Sequence, residues 1–181
     1  MRWKNGLGET AEIAIAPAGS ALERFDWRIS MARVEAAGPF STFAGIDRTL
    51  TVLDGAGFRL AVDGQPVAEL TPRSAPYSFP GDRAAEATLL AGAVTDLNVM
   101  TRRDRLWHHV GRVVTGARTS LALSGATALV VCAQGPVRVA AAGAVAGLGT
   151  LDTLLIDQPP VLLDVTAAAP GQLVVIEIHR R

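Results

Sequence analysis

The chain has one cysteine, three histidines, one tyrosine and no surplus of either charge sign, 17 Lys and Arg balancing 17 Asp and Glu. A lone Cys132 cannot close an internal disulfide, which excludes a stapled secreted scaffold and points to a reducing compartment. Zero net charge leaves no basic excess to neutralise a phosphate backbone or an anionic bilayer, so neither nucleic acid nor membrane is an expected partner. No run reaches the roughly 20 apolar residues of a membrane span. Met1 is followed at once by Arg2, Trp3, Lys4 and Asn5 instead of the apolar segment of a leader. A cytoplasmic location is the expectation.

Familiar catalytic and metal signatures are missing as well. His108 and His109 are adjacent, so they diverge on a helix and point to opposite faces of a strand, and His179 stands two residues from the end. No His-x-His or His-x-x-x-His pair exists, and metal and cofactor are both expected to be absent. There is no Gly-x-Ser-x-Gly elbow, and the Gly-x-Gly of residues 6–8 lacks the strand–helix context of a phosphate loop. A metal-free acid–base pair, Glu12 with Asp82 or Asp96, is the catalytic arrangement left open.

What is present is a core and many turns: 49% of the 181 residues are hydrophobic, with 18 glycines and 10 prolines. Residues 10–16 read as a short strand. In residues 25–34, Phe25, Trp27, Ile29 and Met31 alternate with Asp26, Arg28 and Ser30, the period of a half-buried strand. Residues 48–53 and 58–62 read as a hairpin about Asp54-Gly55-Ala56-Gly57. Asp63-Gly64 marks a further turn, and residues 67–70, 87–90 and 96–101 read as strands, with a proline-marked connection over 72–80. Residues 84–91 could be helical from their alanine content, but tightly spaced turn signals favour a strand. Only residues 104–114 carry a helical reading, weakened by Gly111.

The second half repeats the first. T-L-T-V-L-D-G-A-G-F-R-L-A-V-D-G (49–64) can be laid on A-L-V-V-C-A-Q-G-P-V-R-V-A-A-A-G (128–143), and D-L-N-V-M-T-R-R (96–103) on V-V-I-E-I-H-R-R (174–181). P-Y-S-F-P-G-D (76–82) matches T-L-L-I-D (153–157) loosely. Duplicated units of short, evenly spaced strands imply an all-β barrel or jelly roll. Polar residues gather in the first half, so its lining suits a ligand, whereas the second half is mostly aliphatic.

Arg28 and Ser30 share a strand face opposite Trp27 and Ile29; that row is either solvated outside or turned into the lumen of a small barrel. Arg48 poses the same alternative, with pairing to Asp47 or Asp54 as its plain structural role. Asp96, Asn98, Met100 and Arg102 alternate onto one face. Two inward guanidiniums would recognise a carboxylate through planar two-pronged hydrogen bonds.

The strings W-K-N-G-L-G-E-T-A-E, F-D-W-R-I-S-M-A-R-V-E-A-A-G-P-F-S-T-F-A-G-I-D-R-T-L-T-V-L-D-G-A-G, F-P-G-D and D-L-N-V-M-T-R-R resemble the HutD/Ves family across residues 3–103. The resemblance implies a bicupin, two cupin-like (RmlC-like jelly-roll) barrels: 1–104 with the ligand pocket and 105–181 mainly structural, with exchange of strands between the halves allowed. It also implies a role beside bacterial histidine catabolism, binding an intermediate such as N-formylglutamate or urocanate and limiting the pathway. A metal-free isomerase or hydrolase on a similar acid, with Glu12 or Asp82 as base, is the alternative. Family motif positions fall on Trp3, Lys4, Asn5, Gly6, Thr10, Glu12, Trp27, Arg28, Ser30, Phe40, Ser41, Gly45, Arg48, Phe79, Gly81, Asp82, Asp96, Asn98, Met100 and Arg102. Leu7 stands where the family has a glycine and Ala44 where it has a proline, and both alter loop freedom at the expected mouth. Arg28 and Arg48 are expected to clamp the anion. Ser30 and Asn98 would add hydrogen bonds, Lys4 and Asn5 would close the mouth, and Trp27, Met100, Glu12 and Asp82 would complete the lining. Expected partners are a small carboxylate and a second copy of the chain.

Overall fold

The computed structural model describes residues 8–22, 24–159 and 161–181; Lys4 and Asn5 lie outside them. The elements are all strands: β1 (Gly8–Ala16), β2 (Trp27–Val34), β3 (Gly38–Pro39), β4 (Ile46–Asp54), β5 (Phe58–Val62), β6 (Gln65–Leu70), β7 (Tyr77–Pro80), β8 (Ala85–Leu89) and β9 (Val94–Arg102), then β10 (Leu106–Thr115), β11 (Thr119–Leu123), β12 (Thr127–Gln134), β13 (Val137–Ala141), β14 (Ala144–Leu148), β15 (Thr153–Asp157), β16 (Val161–Thr166) and β17 (Gly171–Arg180). No helix among the described residues is long and apolar enough to cross a membrane. The helical pattern of residues 104–114 is overridden: β-branched Val110, Val113 and Val114 and the helix-breaking Gly111 go into β10. The proline-marked stretch 72–80 ends in a strand, β7, paired to β4 at the sheet edge, where a missing N–H is tolerated at Pro80.

Contacts divide the chain into Met1–Leu106 and Trp107–Arg181. The first unit has two sheets, ordered β1-β2-β9-β4-β7 and β3-β8-β5-β6; the second has β10-β17-β12-β15 and β11-β16-β13-β14. Dropping β1, the two orders correspond strand for strand.

The run 48–62 is not a hairpin. β4 pairs with β9 and β7, while β5 pairs with β6 and β8 in the other sheet. Residues 54–57 therefore turn the corner between sheets, and the glycines there are required by crowding. Both have positive φ, and a Cβ on Gly55 would lie 2.5 Å from the Ala93 carbonyl oxygen, while one on Gly57 would strike that of Leu70. The true hairpin joins β5 to β6 through Asp63-Gly64, both at positive φ (50° and 74°), the backbone of a type I′ turn. Ala142-Gly143 (49° and 82°) does the same between β13 and β14.

The duplication read from sequence is thus visible in the architecture, with a one-residue correction. Phe58 and Leu60 face the core of the first unit, and their partners Val137 and Val139 face that of the second. On the preceding strand Leu50 and Val52 face inward, but so do Ala128 and Val130, not the Leu129 and Val131 aligned with them. The connection after β12, Gly135-Pro136, is shorter than the 55–57 corner, and a slip of one residue exchanges the faces of a strand.

The first core joins Leu50, Val52, Phe79 and Val94 of one sheet to Phe58, Leu60, Leu70, Ala85 and Ala87 of the other. The second is continuous hydrocarbon, from Leu123, Ala128, Val130 and Cys132 to Val137, Val139, Leu163, Val165, Leu173 and Val175. Burial raises the pKa of the Cys132 thiol, so it behaves as a small apolar side chain.

Candidate functional site

Strand register builds a polar patch on the inner face of the five-stranded sheet. Arg28 lies opposite Met100, and Met100 opposite Arg48, which in turn faces Phe79. The two arginines thus sit two strand spacings apart, roughly 10 Å at the backbone. The next inward row is Ser30, Asn98 and Leu50; the one after it is Ala32, Asp96 and Val52. Period-two alternation puts Arg28 and Ser30, Asp96, Asn98 and Met100, and Arg48 on a single wall. The alternative of a solvated outer row is overturned, because Arg28, Ser30, Arg48, Asp96 and Asn98 are all buried.

Each arginine is held differently. Arg28 Nε donates to Glu12 Oε2 at 2.8 Å and Nη1 to Ser30 Oγ at 3.3 Å. Glu12 reaches it from β1, whose register sets Glu12 against Ser30. Arg48, only 2% exposed, donates from Nη1 to the Ser41 carbonyl at 2.9 Å. Its guanidinium carbon lies 5.3, 5.7 and 5.4 Å from the ring centroids of Phe40, Phe43 and Phe79. Three aromatic faces offset part of the desolvation of a buried cation. Gly81 makes room for its stem: a Cβ there would lie 3.0 Å from Cγ and Cδ of Arg48 and from the Ile46 carbonyl oxygen.

The patch carries unmet hydrogen-bonding capacity. Arg48 Nε, Asn98 Oδ1 and both carboxylate oxygens of Asp96 are buried without a partner. Burial pulls Arg48 down to about 10, with Asp96 opposing and the like charge of Arg28 adding to the shift. Burial pushes Asp96 up to about 7 against the favourable field of Arg48. Unpartnered buried donors and acceptors are rare in native proteins, and such groups call for a partner beyond the protein's own side chains or for a chemical role.

At the end of the wall beyond Arg48, Leu22, Phe25, Thr42, Phe43, Ala44, Ile46 and Arg102 line a cleft of about 320 Å³. Phe43 belongs to both the cleft and the aromatic cage of Arg48, and Met100 packs with Phe25 and Ile46 at its floor. Arg102 is committed there, its Nε and Nη2 donating to the Phe25 carbonyl at 3.1 and 2.9 Å.

Two residues expected in the lining stand elsewhere. Trp27 leaves the opposite face of β2 from Arg28, as its neighbour in a strand must. Asp82 lies outside the wall in an exposed ion-pair cluster, where Arg103 Nη1 reaches it at 3.1 Å and Nε reaches Asp47 at 2.7 Å. Hydrogen bonds from Arg103 hold the Asp82 carboxyl below its ordinary range, the wrong direction for a general base near neutrality. Arg103, whose Nη2 also donates to the Ile46 carbonyl at 3.1 Å, ties the 81–82 turn to the start of β4. Sequence reading missed this clip and the caging role of Phe43; the Arg102-Arg103 doublet at a strand end, whose members must diverge, was the available signal.

Among the described residues no group of three or more His, Cys, Asp or Glu comes together. Two guanidiniums on one wall also repel a divalent cation and offer it no lone pair, so these residues do not fit a metal centre. The histidines are placed in the second unit, His179 stacked on Trp107 with ring centroids 4.0 Å apart.

Two double-sheet halves of this order define a cupin-type fold, the first half carrying two buried arginines on its inner wall. The fold recurs in a cupin 2 conserved barrel domain protein from Leptotrichia buccalis (TM-score 0.64, 8% identity, 94% of this chain and 88% of that one). It recurs also in salicylate 1,2-dioxygenase from Pseudoaminobacter salicylatoxidans (0.67, 10%, 97% and 75%). The chain belongs to the HutD family, related to histidine utilisation, whose profile matches residues 1–175. It is 34% identical to HutD from Pseudomonas fluorescens SBW25, with a TM-score of 0.81 over 100% of this chain and 93% of that one. An uncharacterized 21.2 kDa protein from the hutC 3' region of Pseudomonas putida is 39% identical over 183 residues, 100% of this chain and 93% of its own. Protein Ves of Citrobacter koseri matches at 41% over 105 residues, 57% of this chain and 53% of that protein.

Proposed function

We propose that the first unit binds a small organic carboxylate of histidine breakdown, N-formylglutamate and urocanate being the candidates, and that binding serves to limit the pathway. The second unit acts as scaffold. The observation that carries this reading is the pair of buried guanidiniums on one row, one of them caged by three phenyl rings and left with an unpartnered Nε. A buried cation held by aromatic faces and one carbonyl retains donors for an anion, and guanidinium geometry suits the planar carboxylate. Asn98 and Ser30 on the adjoining row supply an amide and a hydroxyl for a second polar group of the ligand. The cleft against Phe43 provides the approach, since Phe43 alone is shared between it and the cage.

Calorimetric titration with formate, the smallest carboxylate, and then with N-formylglutamate and urocanate tests the reading. Saturable binding is expected, and Arg48→Met should weaken it by about 1.5–3 kcal/mol, roughly 10- to 150-fold, the worth of a hydrogen bond to a charged group. Unchanged affinity in a folded Arg48→Met protein would reject the assignment.

A further inference from the structure

We propose that Asp96 is a proton-linked counter-charge of this lumen, taking up a proton from water when a carboxylate docks on Arg48, so that anion binding and protonation are one coupled event. The inference rests on the carboxylate reading above and adds to it a group that the ligand does not touch.

The geometry is that of a buried acid with one electrostatic partner. Asp96 is 0% exposed, neither of its oxygens has a hydrogen bond, and its row neighbours Ala32 and Val52 are apolar. The facing sheet presents Phe58, Leu60, Ala85 and Ala87, none of them charged. Among the described residues, the charged groups of the same wall are Arg48 on β4 and Arg28 on β2, with Glu12 on β1 engaged by Arg28, and Arg102 at the far end of β9, committed to the Phe25 carbonyl. The field of Arg48 is what favours ionised Asp96. A carboxylate arriving at Arg48 cancels that field and adds a like charge nearby, and both changes favour the protonated form. Only an O–H bond is made: buffer acid gives its proton to Asp96, and nothing else is transferred. Asn98, 8% exposed and two residues along the same face, adjoins Asp96 on the side of the arginines.

With burial pushing Asp96 up to about 7, formate affinity should be flat at acid pH and fall by up to tenfold per pH unit above neutrality, formate itself staying ionised throughout. The experiment is calorimetry of the full chain with sodium formate at constant ionic strength between about pH 6 and 9, repeated in buffers of different ionisation enthalpy to count protons. Near one proton taken up per formate at about pH 8, with the slope kept in Glu12→Gln and lost in Asp96→Asn, is the expected result. Formate binding without pH dependence or proton uptake, or a slope retained in Asp96→Asn, would overturn the inference while leaving the carboxylate site standing. Absence of saturable formate binding at every pH would overturn both. Proton counting on the wild-type chain decides the matter even where Asp96→Asn does not fold.

Discussion

The two units share strand order, sheet pairing and type I′ hairpins, yet their inner walls differ in kind. In the first, β4 and β9 turn Arg48, Asn98 and Asp96 inward beside Leu50 and Val52; in the second, β12 and β17 turn Ala128, Val130, Cys132, Leu173 and Val175. A barrel framework is indifferent to which of these it encloses, because inward positions recur every second residue and a few substitutions convert a packed core into a lined one. The difference has a thermodynamic cost on one side. Buried polar atoms left without partners cluster in the first unit at Arg48, Asp96 and Asn98, and each of them costs stability.

The most severe way to break the contrast is to place an arginine in the second wall. Val130→Arg buries a charge among hydrocarbon with no acid and no aromatic cage, and the cost, several kcal/mol, is of the order of the whole stability. Loss of the cooperative thermal transition by circular dichroism is expected; a melt within a few degrees of wild type would show that the second lumen is not closed hydrocarbon.

Asp96→Asn sharpens the contrast in the opposite direction. The fold favours the protonated acid, so the stabilising contribution is complete below the unfolded value near 4 and is lost as pH rises through about 7. The wild-type chain should therefore lose on the order of 4 kcal/mol between those limits relative to the asparagine variant. Paired melts at pH 4 and pH 8 check this: near coincidence at pH 4 and a higher melting temperature for the variant at pH 8.

Gly81→Ala crowds the stem of Arg48 from its open side. It should cost about 1–2 kcal/mol of stability and loosen formate binding measurably. Smallest of all is Asp82→Asn, which removes an exposed partner of Arg103; a melting temperature within about a degree of wild type and unaltered formate affinity are expected.

Much of this was legible in the residues. Alternation in Trp27-Arg28-Ile29-Ser30 and in Asp96 to Met100 fixes which side chains share a wall, and the duplication forecasts the correspondence of β4 with β12 and of β9 with β17. What alternation cannot state is which face is covered: Ile29, Leu97, Val99 and Thr49 on the reverse side are buried as well, so period two with both faces buried looked like a half-exposed strand. The corner at Gly55 and Gly57 passed for a hairpin because glycine signals a tight backbone without naming the sheet that follows. Asp82 seemed a pocket acid because its neighbours Phe79 and Gly81 do serve the arginine cage, while its own side chain points out to Arg103.

The central claim, that the first lumen and not the second is an anion site, is tested most directly by following arginine Nε–H resonances during a formate titration against a chloride control. Arg48 Nε–H should shift to saturation with formate alone while Arg112 of the second unit stays in place. A silent Arg48, or equal responses of Arg48 and Arg112 to formate and chloride, would contradict it.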